Sequence, residues 1–252
     1  MVLSAATTAR GGSPLAGARR RYRRGRLRYR TWRACGRRYA APIDPFGLLR
    51  LDPGAVSRVV SREDRATLAA DGDPDVQAVA GGDWDLGAEP FVESRPFRAL
   101  RDRFVRGRPW DAIEAEYGVP SRVSPATLEV LCADVATRGY RTVRERRRER
   151  REPAAGPTLV DPRPDLPPAK AEVRVAVGRD GRFVLHDGGY RLAVARLLGV
   201  ESLPVHVLVR HDRWQARRER VVLTGADASD HPDLTDLSPR AAVGDAAGGL
   251  RK

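Results

Sequence analysis

VRVAVGRDGRFVLHDGGYRLAVARLLGVESLPVHVLVRH, residues 173–211, reads as strand, tight turn, strand, glycine corner, helix and strand. Val173, Val175 and Val177 alternate with Arg174 and Ala176, the period-two pattern of a half-buried strand. Arg179-Asp180-Gly181 supplies hairpin chemistry, because Asp-Gly tolerates positive φ. Phe183 and Leu185 continue as the returning strand. Tyr190, Val194, Leu197 and Leu198 follow at i, i+4, i+7 and i+8, one buried stripe of a helix that Gly199 closes. Leu203, Val205, Val207 and Val209 alternate again in a third strand ending at Arg210-His211.

The chemistry of this stretch sits at its corner. Gly188 and Gly189 permit a sharp bend and close backbone approach. A strand turning into a helix there offers first-turn N–H groups and the positive end of the helix dipole to an anion. Arg191, on the first turn, can fork onto a phosphate or pair with Asp187. Asp187 can accept a ribose hydroxyl, ligate Mg²⁺ or act as a base, which makes it the catalytic candidate; equally, it can simply cap the helix. Tyr190 can stack on a base, yet it also begins the apolar stripe. His211, at the end of the third strand, is expected to border the same pocket. His186 ranks below both, since strand alternation turns it to the opposite side from Asp187.

Asp187-Gly188-Gly189-Tyr190-Arg191, Leu198-Gly199 and Leu203-Pro204-Val205 resemble the shared element of the ParB N-terminal/sulfiredoxin-like superfamily. That element is a strand, a D-G-x-[HR]-R corner, a helix ending in L-G and a strand opening with [IL]-P-V. The likeness covers residues 170–212. It implies an α+β module, a small mixed sheet with helices, whose corner carries the phosphates of a nucleotide with the arginine at 191 in contact with them. Sulfiredoxin has a reactive cysteine where this chain has Gly189, which argues against sulfinic acid reduction. ParB proteins carry G-E-R-R-x-R-A, and here Gly189, Tyr190 and Ala193 replace the acid, the first arginine and the last one. The GGDWD element with the later corner also resembles a group of prokaryotic proteins, many of them haloarchaeal, which implies no activity.

The charge is distributed unevenly. Residues 1–38 hold twelve arginines and no acid, and the remainder, 34 basic against 33 acidic residues, is close to neutral. The basic character therefore belongs to a tail, and residues 1–40 are expected to be disordered. Tyr22, Tyr29 and Trp32 interleave with the arginines, so the tail is either an unstructured extension or an arm that grips nucleic acid or anionic lipid. It has no apolar run of the secretory type, and no stretch of the chain is long enough to span a bilayer. Cys35 and Cys132 form no disulfide framework or zinc spacing, so no metal site is expected and a cytoplasmic setting is.

Residues 41–152 are expected to be mainly helical. Phe97, Leu100, Phe104 and Val105 form one stripe, Trp110, Ile113 and Tyr117 a second, and Leu128, Leu131, Cys132 and Val135 a third, opened by Ser124-Pro125. Residues 69–90 are expected to be loop. Within them Gly81-Gly82-Asp83-Trp84-Asp85 makes Asp83 and Asp85 secondary candidates for a cation or a sugar, or else a turn anchored by Trp84. Residues 153–169 read as a proline-rich linker, 170–224 as the ParB/sulfiredoxin-like module and 225–252 as a flexible end in which His231-Pro232-Asp233-Leu234 folds back as a turn.

Three functions follow from these readings. One is binding of a nucleotide, with or without Mg²⁺, or of another phosphorylated small molecule at residues 187–191. The second is a small-molecule kinase or phosphotransferase working at the same corner. The third is nucleic-acid binding through residues 1–38.

Overall fold

The computed structural model describes residues 14–68, 75–118, 124–149, 167–225, 229–235 and 237. The first described element is α1 (Pro14–Thr31), which continues into a π-helical turn at Trp32–Gly36. Three short pieces follow: β1 (Leu49–Leu51), β2 (Arg58–Val59) and α2 (Arg62–Thr67). After β3 (Ala78–Ala80) and β4 (Glu89–Pro90) come four helices, α3 (Arg95–Phe104), α4 (Trp110–Tyr117), α5 (Pro125–Arg138) and α6 (Val143–Glu149). The last part is β5 (Val173–Val177), β6 (Phe183–Asp187), α7 (Gly189–Leu197), β7 (Leu203–His211) and α8 (Asp212–Thr224). The architecture is α+β.

One mixed sheet joins strands from both halves of the described chain, in the order β1-β7-β5-β6-β2-β4, with β3 pairing β7 as well. β5 and β7 run parallel and β5 and β6 antiparallel, while β2 lies parallel to β6. Every residue of β5 and β7 is buried, as befits central strands covered on both faces. On one face Val173, Val175, Leu185 and Val205 meet Leu100 of α3, Leu128 and Leu131 of α5 and Leu192 of α7. On the other, Ala176, Val184 and Leu208 meet Val60, Leu68 and Trp84.

The local signals work as expected in the helices and the hairpin. Ser124 caps α5, its Oγ accepting from the Thr127 amide at 3.2 Å, with Pro125 in the first turn. Gly181 takes φ +90° at the β5–β6 turn, packed under the Trp214 ring. The stripe on α3 is shorter than its spacing suggests: the helix ends at Phe104, whose exposed ring stands edge-on to Trp110, and Val105 is exposed.

Four expectations are corrected. Residues 41–152 are not simply helical, nor are residues 69–90 simply loop, because β1 to β4 add to the sheet. These strands are two or three residues long, too short to carry a period-two signal, and the long strands β6 and β7 organise them. For the same reason 41–152 and 170–224 do not fold as separate units, since β2 pairs β6 and β1 pairs β7. The basic tail is helical from Pro14, and Leu27, Thr31 and Cys35 are buried at four-residue spacing. Finally, residues 229–235 of the C-terminal segment fold back onto the body, with a turn in which Leu234 N donates to His231 O at 2.8 Å. Asp233, 1% exposed, accepts from Arg210 Nε at 2.8 Å and Trp214 Nε1 at 2.9 Å, and lies 3.2 Å from Arg218 Nη1. Residues 1–13, most of the proline-rich linker, and residues 226–228, 236 and 238–252 of the expected flexible end lie outside the described residues.

Candidate functional site

β6 leads to the corner, and a bulge shapes its last residues. Arg174 stands opposite Asp187 while the next residue, Val175, stands opposite Leu185, so His186 is the extra residue on β6. A bulge re-aims side chains where it occurs. His186 is 4% exposed, and neither ring nitrogen has a hydrogen-bond partner. Burial, reinforced by the charges of Arg174 and Arg65, pushes its pKa down to about 4, so the ring is neutral at pH 7.

Arg174, 5% exposed, reaches both ways along this end of the sheet. Its Nη1 donates to Asp75 Oδ1 at 3.1 Å, and its Nη2 donates to Asp187 Oδ2. Asp75 in turn lies 3.6 Å from Arg23 Nη2, which ties α1 to the sheet. Across β7, His206 is opposite Arg174 and fully buried. The Lys170 ammonium has only protons to give, so His206 Nε2 accepts from it at 2.8 Å and Nδ1 donates to the Gly47 carbonyl at 3.0 Å. Burial and then Lys170 keep His206 well below its ordinary pKa. Three adjacent strands thus place His206, Arg174 and Asp187 in one row, with His186 tucked into the bulge.

Asp187 is the open end of that row, its side chain 48% exposed. Partial burial acts to raise its pKa, but the charge and hydrogen bond of Arg174 and the Gly188 amide, donating at 2.8 Å, bring it down to about 2. Just past the neighbouring parallel strand β2, Val60 N donates to Leu185 O at 2.9 Å, and α2 begins two residues later. Arg65 of α2 lies within electrostatic reach of Asp187 and Arg174, and its buried Nε has no partner.

The glycines do what the corner requires. Gly188 has φ +93°, and a Cβ there would come within 3.1 Å of Val173 Cα. A Cβ on Gly189 would meet Pro96 Cγ at 2.9 Å, so the start of α3 presses against the start of α7. Arg191 is committed elsewhere: Nη1 donates to the Ala171 carbonyl and lies 3.8 Å from the buried Glu172 carboxylate. Burial raises the Glu172 pKa and Arg191 opposes the rise. Tyr190 packs against the larger core, its hydroxyl buried without a partner.

His211 does not border this pocket. Arg210 is opposite Val177, three residues along β5 from Arg174, so His211 ends β7 about 10 Å or more from the corner. There its Nε2 donates to the Gly82 carbonyl at 2.9 Å, its Nδ1 accepts from the Arg213 amide at 3.1 Å, and its ring lies 5.8 Å from that of Trp84. Asp83 and Asp85 meet at this opposite end, both paired with the Arg179 guanidinium. Arg179 Nη2 donates to Asp83 Oδ1 at 2.6 Å, and Nε to Asp85 Oδ1 at 3.0 Å. Burial would raise the Asp85 pKa, and the Arg179 hydrogen bonds lower it. The buried Trp84 between them anchors the loop.

Sequence reasoning passed over Arg174, Arg65, Asp75 and His206. Arg174 is the polar residue of an alternating strand and reads as solvent-facing. Its burial follows from a second layer over that face, which no local pattern announces. Among the described residues no three His, Cys, Asp or Glu side chains converge to hold a metal ion. Asp187 offers Mg²⁺ a single carboxylate, so the protein donors do not make a magnesium site by themselves. Among the described residues no helix is long and apolar enough to cross a membrane. No family model, curated protein or solved structure matches the chain.

Proposed function

We propose that the corner between β6 and α7 binds a nucleotide or another phosphorylated small molecule. Arg65 and the first-turn amides of α7 face the phosphate, and Asp187 accepts from a ribose or other hydroxyl. The observation that carries the reading is the set of polar groups left open around Asp187. The His186 ring and Arg65 Nε are buried without partners beside a half-exposed, ionised carboxylate and a helix N-terminus. An unpartnered buried polar group costs about 1–3 kcal/mol, a cost that a ligand's oxygens would offset. The resemblance of residues 187–191 to the nucleotide corner of ParB/sulfiredoxin-like proteins supports the same class of ligand. The cation is reassigned in this reading: Arg191 braces Glu172, and Arg174 with Arg65 supplies the charge.

The test is thermal unfolding of the full chain with ATP, CTP, tripolyphosphate and pyrophosphate, with and without Mg²⁺. A ligand at one hundred times its Kd stabilises by about 2.7 kcal/mol, a rise in Tm of about 5–10 °C for a protein of this size. Arg65→Gln is expected to remove the rise and Arg191→Gln to retain it. Asp187→Asn is expected to erase the preference of ATP over tripolyphosphate. No rise with any of the four compounds, or a rise that survives Arg65→Gln, refutes the assignment.

A further inference from the structure

α1 divides the arginine run into two sides. Leu27 and Thr31, one turn apart, are buried against the body, and the buried Cys35 extends this contact by donating its thiol to the Gln77 carbonyl at 3.5 Å. Three arginines flanking that seam touch the body, Arg23 at 3.6 Å from Asp75 and Arg24 and Arg28 over the Phe46 ring at 4.8 and 5.9 Å. The opposite side is built differently. At 100° per residue, Tyr22 and Tyr29 fall on one line along the helix, about 160° around from Leu27. They are 73% and 58% exposed, and Trp32, 52% exposed, places its ring 6.1 Å from that of Tyr29. The same seven-residue spacing repeats in two rows of exposed arginine, Arg19 with Arg26 on one side of the tyrosines and Arg21 with Arg28 on the other. Beside the first row lies a cleft of about 430 Å³ bounded by Tyr22, Arg26 and Asp75.

We propose that this outward face of α1 binds single-stranded nucleic acid, with bases stacked on Tyr22, Tyr29 and Trp32 and phosphates drawn to the flanking arginine rows. Rings exposed between cations suit a strand whose bases are unpaired, because stacking needs a free π-face while the charges follow the backbone. A duplex keeps its bases inside and leaves the rings without partners. A membrane-surface helix turns a broad apolar face outward. Here Leu27 faces the protein, and among the described side chains the outward side carries rings and guanidinium groups. The proposal is independent of the ligand at the β6–α7 corner.

The probe is a fluorescein-labelled 20-nucleotide oligouridine, titrated with the full chain while anisotropy is read. Four arginines on phosphates predict a slope of log K against log salt near −3, hence about 50-fold weaker binding at 200 mM than at 50 mM salt. The double variant Arg19→Gln/Arg26→Gln is expected to halve that slope. Tyr22→Ala/Tyr29→Ala keeps every charge and is expected to weaken binding about tenfold or more with the slope unchanged. All four positions are exposed, so the substitutions leave the docked side of α1 intact. Tyrosine variants that bind like the parent overturn the proposal. So does a slope indifferent to the arginine change, stronger binding to a duplex of equal length, or preferential binding to vesicles of phosphatidylserine.

Discussion

Arg174 and Asp187 face each other at the bulge between β5 and β6, and their ion pair joins a buried guanidinium to a half-exposed carboxylate. The same guanidinium holds Asp75, so one arginine links the corner to the side of the sheet where α1 sits. This arrangement braces the corner through two carboxylates and leaves about half of the Asp187 side chain toward solvent.

The pair has a pH signature. The Asp187 pKa of about 2 lies below the ordinary carboxylate value of 3.8, so its contribution is fully present above pH 4 and is lost as pH falls through about 2. Discounted for the exposed half of the side chain, the contribution is about 1 kcal/mol. Asp187→Asn is expected to flatten urea stability between pH 4 and 2 by that amount; a parent-like acid limb contradicts the assignment.

His186 acts over a different range. Its pKa of about 4 is also below the unfolded value near 6.5, but here the neutral form is the favoured one. The unfolded chain takes up the proton first, so stability is complete above pH 6.5 and falls until about pH 4, by about 3 kcal/mol in the limit. An NMR titration of the ring is expected to find His186 neutral at pH 5. His186→Leu should remove this part of the acid destabilisation.

At the corner itself, Gly188→Ala forces a side chain into left-handed backbone and toward Val173. The expected cost is about 1–2 kcal/mol, or about 2–8 °C in Tm by thermal scan. Gly189→Ala drives a methyl into Pro96 and is expected to displace α3 from α7, read as lost amide protection in both helices on hydrogen exchange.

Asp233 closes a buried cluster with Arg210, Arg218 and the Trp214 indole. Asp233→Ala leaves two guanidinium groups buried without this carboxylate and is expected to cost about 3–5 kcal/mol in urea unfolding. A loss below 1 kcal/mol would mean that the 229–235 segment is dispensable.

Much of the local structure could be read directly from the chain. Asp180-Gly181 placed the hairpin, Ser124-Pro125 placed the start of α5, and the double glycine placed the strand-to-helix turn, because each depends on backbone preferences of a few adjacent residues. The position of Asp187 in a polar, partly open corner was legible for the same reason. The partners of that corner were not. Arg65 comes from a six-residue helix beyond a two-residue strand, and Asp75 lies 99 residues before Arg174.

By itself, the sequence determined the elements of residues 173–211, the helical caps and the concentration of arginine at the start of the chain. Only the tertiary structure decided that the arginine run docks as a helix, that β1 to β4 complete the sheet, that His211 belongs to the far end of it, and that Arg174 rather than Arg191 holds Asp187. Local preferences act over a few residues, whereas these outcomes depend on which faces are covered and which charges are buried together, and both are set by contacts between segments far apart in the chain.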